Sequence, residues 1–346
     1  MEYTQIGRTG VTMSRLSFGT ATFGGTTDFE GKIGNTDVAG ARRILDICRD
    51  HGINYFNSSD VYSLGKAEEV LGEALGADRP RVLIGTKSTC RVGDGVNDVG
   101  STRLHLIESC EASLRRLRTD YIDFYLLHYP DSLTAIEETM RAMDDLVRSG
   151  KVRYIGCSNF SAWQMAKALG VSERQGLERF VLQEMNYSLV ERSIEDEHVP
   201  LSLSEGVGIV AWGPLAGGFL SGKFERGKPL VPGSRLGALP EYPAVTDWGK
   251  GLGIGDVVRE IAEARSVTPA EVAVNWLLRK PWVTSVLLGA RTEAQLQSNL
   301  KAVEWVMSGE EAGRLGAARA PASRHPYAIQ NLFNPGRNPP PAAYRG

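Results

Sequence analysis

Tyr121-Ile122-Asp123-Phe124-Tyr125-Leu126-Leu127 is a near-continuous apolar run, closed by His128. A run of this kind suits a strand covered on both faces, which is the habit of parallel sheets. Helical spacing brackets it. Upstream, 101–117 places Leu104, Ile107, Leu114 and Leu117 on one face; downstream, 133–147 repeats the pattern with Ile136, Met140, Met143 and Val147. Tyr154-Ile155-Gly156-Cys157 then reads as the next strand.

Working outward, the same strand-then-helix unit recurs along the chain. Before the quoted run, strands are expected at Leu16-Ser17-Phe18, Asn54-Tyr55-Phe56 and Val82-Leu83-Ile84, with helices over 37–51 and 66–75. After it come helix 161–169, strand 180–182, helix 193–204, strand 208–212, helices 256–265 and 269–278, strand 284–288 and helix 293–303. Eight such units favour right-handed crossovers and a parallel sheet, and eight is the number that closes a barrel. The expected fold is therefore a (β/α)8 TIM barrel of the α/β class over 1–320, with an open doubly wound sheet as the alternative. An N-terminal β-hairpin around Gly7-Arg8-Thr9-Gly10 precedes it. Two stretches fit no unit: the Gly- and Pro-rich 224–253, expected as a long loop after strand seven, and an irregular C-terminal tail over 321–346 that contains Pro339-Pro340-Pro341. Both are expected to border the barrel mouth.

Composition narrows the function. Of 346 residues, 42% are apolar and 23% charged, which fits a globular chain able to bury a large core. The formal charge of −2 supplies no basic field for a nucleic-acid backbone. No window approaches a membrane span, and the start lacks a basic-then-apolar leader, so a cytoplasmic location is expected. Cys48, Cys90, Cys110 and Cys157 are scattered without metal-ligand spacing; they are expected to be reduced and mostly packing residues, and no metal site is expected.

Catalytic groups on such barrels stand at the carboxyl ends of the strands. Polar residues falling there are Asn57, Asp60 and Tyr62, then Lys87, His128, Ser158-Asn159, Gln183, Trp212 and Arg291. A Tyr, a Lys and a His at one mouth form a coherent acid–base set. A lysine ammonium favours the phenolate of a neighbouring tyrosine, lowering its pKa, and a histidine donor stabilises charge developing on a carbonyl oxygen. Tyr129, Trp163, Phe23 and Trp248 are candidates to line an apolar pocket.

These residues sit in motifs that resemble the aldo-keto reductase family. They are Gly52-Ile53-Asn54-Tyr55-Phe56 through Asp60-Val61-Tyr62, Ala67-Glu68-Glu69-Val70-Leu71-Gly72, Ile84-Gly85-Thr86-Lys87 and Asp120-Tyr121-Ile122-Asp123 with Leu127-His128. They continue with 150–160 (Gly-Lys-Val-Arg-Tyr-Ile-Gly-Cys-Ser-Asn-Phe), Trp212-Gly213-Pro214-Leu215, Leu220-Ser221-Gly222-Lys223 and Leu288-Gly289-Ala290-Arg291. The resemblance covers nearly the whole chain and is greatest to a bacterial branch similar to potassium-channel β subunits. It implies reduction of an aldehyde, ketone or keto-sugar by NADPH, with Tyr62 as general acid, Lys87 as its pKa partner and His128 as the donor that orients the carbonyl. It also implies a cofactor site. Ser158, Asn159 and Gln183 would hold the nicotinamide carboxamide and Trp212 would stack on the ring. Gly213, Pro214, Leu215 and Gly217 would cradle the pyrophosphate, with Gly19, Thr20, Gly222 and Gly289 nearby. Lys223 and Arg235 would meet the phosphates, including the 2′-phosphate of NADP, and Arg291, Gln295 and Asn299 would fall at the adenosine.

One departure bears on the chemistry. The family has an aspartate five residues before the tyrosine, and this chain has Asn57, followed by Ser58-Ser59 where Thr-Ala is usual. Without that charge Lys87 is expected to lose basicity, Asp60 is the candidate substitute if the chain turns after Asn57, and Asn57→Asp is expected to raise turnover. The alternative implied is a regulatory or sensor protein that binds NADP(H) with little turnover. Ser298 is a smaller departure, standing where the family often has Glu near the adenosine.

Overall fold

The computed structural model describes residues 1–25, 31, 33–224, 227–238, 248–318 and 325–333. An antiparallel pair, β1 (Tyr3–Gln5) and β2 (Thr12–Ser14), opens the chain. Eight parallel strands follow: β3 (Leu16–Gly19), β4 (Tyr55–Asn57), β5 (Leu83–Ser88), β6 (Ile122–Leu127), β7 (Val152–Ser158), β8 (Phe180–Asn186), β9 (Gly208–Trp212) and β10 (Val283–Leu288). They close into a barrel in the order β10-β3-β4-β5-β6-β7-β8-β9. Outside it run α1 (Val38–Asp50), α2 (Lys66–Leu75), α3 (Arg103–Leu117), α4 (Ile136–Arg148), α5 (Ala162–Gln175), α6 (His198–Glu205), α7 (Trp248–Arg265), α8 (Pro269–Leu278) and α9 (Glu293–Leu300).

Strand alternation divides the buried side chains of the barrel between two cores. Tyr55, Phe124, Leu126, Leu182 and Val210 fill the barrel interior together with Ile6 and Met13, so the hairpin plugs the amino end. The residues between them, such as Phe56, Tyr125, Ile155 and Ile209, face the helices in a much larger cluster. Every residue of β6 is buried, as its apolar run requires. Asp123 faces outward there and is matched rather than stranded: it pairs with Arg79 at 2.7 Å and accepts the Ile84 N–H at 2.8 Å.

Local chemistry sets the helix ends. Asp37 accepts the Gly40 N–H to start α1, and Ser161 and Thr268 make capping boxes at α5 and α8. Left-handed Gly176 and Gly206 end α5 and α6.

Several expectations change. Leu104 is 52% and Leu133 94% exposed. The buried stripe of α3 is Leu106, Cys110, Ser113, Leu114 and Leu117, which at 100° per residue leaves Leu104 on the opposite side. The expected helix over 193–204 divides into a 3-10 turn, Ser193–Glu195, and α6. The stretch 224–253 is not all loop: it holds a helical turn, Arg235–Ala238, and the first residues of α7, with 225–226 and 239–247 outside the described residues. Helices α10 (Gly309–Ala318) and α11 (Tyr327–Phe333) close the described chain, α11 within the tail expected to be irregular; Pro339-Pro340-Pro341 lies outside the described residues. The Tyr327 hydroxyl donates to Glu197, in the segment leading from β8 into α6. Among the described residues, no helix is long and apolar enough to cross a membrane.

Candidate active site

The carboxyl end of the barrel collects the inward positions that terminate successive strands. Asn57 ends β4 opposite Gly85, Lys87 lies near the end of β5 opposite Leu126, and His128 directly follows β6. Ser158 ends β7 opposite Glu184 of β8. Tyr62 arrives by a different device. A 3-10 turn, Tyr62–Gly65, swings it over the mouth, with Ser63 and Leu64 in left-handed conformations (φ 50° and 54°). Ser63 holds this turn by donating to Phe23 O and accepting from Gly25 N, both at 2.9 Å. Of the seven non-glycine residues with positive φ among those described, Ser63, Leu64, Thr89, Asn159 and Ala216 all lie in the loops leaving this end. Backbone strain is thus concentrated where the polar side chains meet.

Tyr62, Lys87 and His128 converge. Lys87 Nζ is 5.3 Å from the Tyr62 ring centre, and the His128 ring meets Tyr62 edge-on at 5.8 Å. Lys87 is nearly fully buried and donates to Asn57 Oδ1 and to Ser58 O (2.6 Å). Burial opposes its charge, but Glu184 and Tyr62 outweigh this and raise its pKa, contrary to the lowered value expected from the loss of an aspartate. The His128 pKa is pushed well down by burial and then by Lys87, so the ring is neutral at neutral pH. Its Nδ1 lies 3.0 Å from Ser59 Oγ and 3.4 Å from Cys90 Sγ, and the ring stacks on Tyr129 at 4.7 Å. Cys90 is therefore a mouth residue rather than a core one, whereas Cys48, Cys110 and Cys157 are buried; all four are free thiols.

Glu184 is the functional candidate that sequence reasoning missed. Its Oε2 is 3.3 Å from Lys87 Nζ, with both side chains almost wholly buried, and its Oε1 accepts from the Tyr55 hydroxyl (3.1 Å) and from Asn57 Nδ2. The neighbouring Gln183 was the residue expected at the mouth, and the structure points it the other way. Its amide donates to Ser202 Oγ and its Oε1 lies 3.0 Å from His198 Nδ1, both on α6. Consecutive strand residues face opposite sides, and interior Leu182 fixes the phase that puts Glu184 inside and Gln183 outside. That phase was the available signal. Asp60 does not take the place of the absent aspartate either: its amide bonds to Lys87 O at 3.0 Å, but its carboxyl is near Ser59 (3.3 Å), and burial followed by Glu68 pushes its pKa up to about 8.

The other expected residues form a belt beside this centre. Ser158 Oγ donates to Glu184 O at 3.0 Å. Asn159 Nδ2 donates to His128 O (3.0 Å) while Asn159 Oδ1 accepts from the Trp212 indole (3.2 Å), so Asn159 fixes Trp212 in place. Gly19 ends β3 opposite Asn57, and Thr20, fully buried, donates to Ser58 Oγ at 2.9 Å. After β9 the backbone turns repeatedly through positive φ at Gly213, Ala216, Gly217, Gly218 and Gly222, with Pro214 and Leu215 between. Chains in such conformations gather N–H groups into concavities that suit anions. Lys223 stands beside this turn. Its pKa is lowered by burial, then by Arg291 and Arg235, which marks three cations brought close together. Arg291 also donates to Gly233 O (3.0 Å), and its amide is accepted by Gln295 Oε1 (3.0 Å). Asn299 is buried on α9, and open space surrounds Gly289. Of the aromatic candidates, Tyr129 and Trp163 are exposed, Phe23 is packed in the core, and the Trp248 side chain lies outside the described residues. No group of three or more His, Cys, Asp or Glu among the described residues is arranged to hold a metal.

The model of the aldo/keto reductase family matches residues 15–320. A probable voltage-gated potassium channel subunit beta from Arabidopsis thaliana is 38% identical over 315 residues, 88% of this chain and 92% of the relative. An uncharacterized oxidoreductase, YrpG, of Bacillus subtilis is 36% identical over 88% of this chain and 91% of its own. A versiconal hemiacetal acetate reductase of Aspergillus parasiticus is 30% identical over 94% of this chain and 99% of its own.

Proposed function

Because the chain belongs to the aldo/keto reductase family, we propose that it is an NADPH-dependent oxidoreductase that reduces an aldehyde, ketone or keto-sugar to the alcohol. The observation that carries this reading is the meeting of Tyr62, Lys87 and neutral His128 at one barrel mouth. Two of the relatives bear oxidoreductase or reductase names, which agrees with it.

The residues present fit the cofactor. A polyanion is suited by the positive-φ backbone after β9 and by the three gathered cations. Gly213, Pro214, Leu215 and Gly217 would hold the pyrophosphate, Lys223 and Arg235 the remaining phosphates, and Arg291, Gln295 and Asn299 the adenosine end, with Gly19, Thr20, Gly222 and Gly289 shaping the space. Trp212, braced by Asn159, would face the nicotinamide with Ser158. Gln183, which faces α6, has no part in this site. When bound, NADPH supplies hydride to the carbonyl carbon.

The protein's own task is the carbonyl oxygen. Tyr62 gives it a proton, and the adjacent Lys87 ammonium stabilises the phenolate left behind. His128 supplies a hydrogen bond as charge builds on that oxygen. This requires the proton on Nε2, which follows if Ser59 donates to Nδ1 (3.0 Å) in preference to Lys87 O or Asp60 Oδ1 (both 3.3 Å). A regulatory reading without turnover drew its support from Asn57, and Glu184 now meets that objection by placing a carboxylate on Lys87.

The test is oxidation of NADPH with a panel of aldehydes, ketones and keto-sugars. Tyr62→Phe is expected to lower turnover by about 10²–10⁴-fold with NADPH affinity nearly unchanged. Undiminished turnover in that variant would remove Tyr62 as the acid; binding without turnover on any carbonyl would favour the regulatory reading.

A further inference from the structure

We propose that Glu184 is the positioning residue that keeps Lys87 charged, so that the carboxylate serving the Tyr62–Lys87 pair comes from β8 and not from position 57. The inference rests on the reductase reading for its kinetic consequence, though not for its structural one.

Three features of the geometry point to it. Glu184 Oε2 and Lys87 Nζ are 3.3 Å apart with side chains 1% and 3% exposed, so water screens the pair very little. Asn57 links the two through an amide whose NH2 faces the carboxylate and whose oxygen faces the ammonium. An aspartate could accept from Lys87 but could not donate to Glu184. The third feature is the support behind Glu184. The Tyr55 hydroxyl reaches Oε1 over Gly85 of β5, where a Cβ would come within 2.0 Å of the tyrosine oxygen. Asparagine at 57 and glutamate at 184 therefore form one complementary arrangement, with the charge on one strand and the amide on the other.

The groups around Lys87 are few. Glu184 faces it from β8, Asn57 and Ser58 O from β4, Tyr62 from the turn after β4, His128 from the end of β6 and Cys90 from the loop after β5. Cys90 is pushed up to about 12 by burial and by Asp60, and the Tyr55 hydroxyl is raised well above its usual value by burial and by Glu184; both are neutral at neutral pH. Asp60 at about 8 is largely protonated there. Glu184 is then the carboxylate placed to balance the ammonium. The expectation that Asn57→Asp raises turnover reverses as a result, because a second carboxylate would lie in hydrogen-bond contact with the first, and one of the two would stay protonated.

The experiment compares the full-length protein with Glu184→Gln, Asn57→Asp and the exchange Asn57→Asp/Glu184→Gln. Two readouts are taken: kcat and KM across pH, and titration of Lys87 by NMR of 13Cε-lysine-labelled protein, its resonance identified by loss in Lys87→Met. In Glu184→Gln, kcat is expected to fall by about tenfold or more with KM little changed. Its Lys87 titration should move down by about one pH unit or more. Asn57→Asp alone should lower kcat, and the exchange should return both readouts toward the starting protein. Should Glu184→Gln fail to fold, the exchange variant carries the test through its Lys87 titration alone: recovery supports the proposal, and a lowered value overturns it. A Lys87 titration unaltered in folded Glu184→Gln overturns it whatever turnover does. Absence of turnover in the starting protein, with the Lys87 titration still dropping in Glu184→Gln, sinks the reductase reading and leaves this one standing.

Discussion

Gly85 shows how far a single position at this site is constrained by its neighbours. A β-carbon there would lie 2.0 Å from the Tyr55 oxygen and 2.8 Å from the adjoining ring carbon, in a fully buried interior. We expect Gly85→Ala to displace the tyrosine from Glu184 and to cost about 1–3 kcal/mol in denaturant unfolding. Combining it with Tyr55→Phe, which deletes the colliding oxygen, should recover part of that loss, because the two sites touch and their effects couple. Strictly additive losses would mean that the clash is relieved elsewhere. The same neighbourhood marks what was legible at this scale. Tyr62, Lys87, His128 and the oddity of Asn57 could all be read from the sequence, because each stands at or just beyond a strand end within a distinctive motif. Glu184 could not be read so easily, since Gln183 and Glu184 are adjacent polar residues and only the phase set by Leu182 tells which one enters the barrel. The compensation between Asn57 and Glu184 links strands 127 residues apart in sequence, and no local pattern carries it.

At the scale of elements, the turn after β9 is the part whose shape predisposes it to a ligand. Positive φ from Gly213 to Gly222 curls the backbone, and Lys223 stands at its end within reach of Arg235 and Arg291. Burial, and after it Arg291 and Arg235, lowers the Lys223 pKa, and like charges held together destabilise one another until an anion arrives. Lys223→Ala and Arg235→Ala are therefore expected to weaken NADPH by about tenfold or more each, at roughly 1.5–3 kcal/mol per charged hydrogen bond, and NADH by less. Equal losses for both cofactors, measured by fluorescence titration, would remove the assignment to the 2′-phosphate. Elements with clear punctuation were readable almost to the residue. Helix α2 runs between Gly65 and Gly76, both at positive φ, α8 starts from the Thr268-Pro269 cap, and β9 lies between glycine-marked turns. Helix α7 was read eight residues short because its first turns, Trp248-Gly249-Lys250-Gly251-Leu252-Gly253, carry three glycines, which weaken a helix taken alone; contacts with α8 and α10 support it instead.

At the scale of the molecule, Asp60 is, among the described residues, a buried group that bears directly on stability near neutral pH. Its carboxyl is 2% exposed, its Oδ2 has no hydrogen-bond partner among the described residues, and burial followed by Glu68 raises its pKa from the usual carboxylate value to about 8. The folded chain thus holds a proton that the unfolded chain has released, from about pH 4 up to about pH 8. Stability from this group is full below the unfolded value and declines as pH rises through that window, by about 1.4 kcal/mol per pH unit for one proton. Other groups act elsewhere on the scale. His105, His128 and His198 have lowered pKa values, so their contribution is lost as pH falls through about 6.5 and levels off only above about pH 7.5. The buried thiols, raised by burial, make their difference only above the usual thiol range. These other groups cancel in a comparison with a variant at position 60, which leaves the Asp60 slope between about pH 6.5 and 8. Asp60→Asn keeps the shape and removes the proton. In urea unfolding at fixed ionic strength, the stability of the starting protein minus that of Asp60→Asn should fall steadily across this interval, so that the variant gains relative ground as the medium becomes more basic. A difference that stays flat from pH 6.5 to 8 would mean that Asp60 is already ionised in the folded protein, with Arg116 outweighing burial and Glu68 at that position.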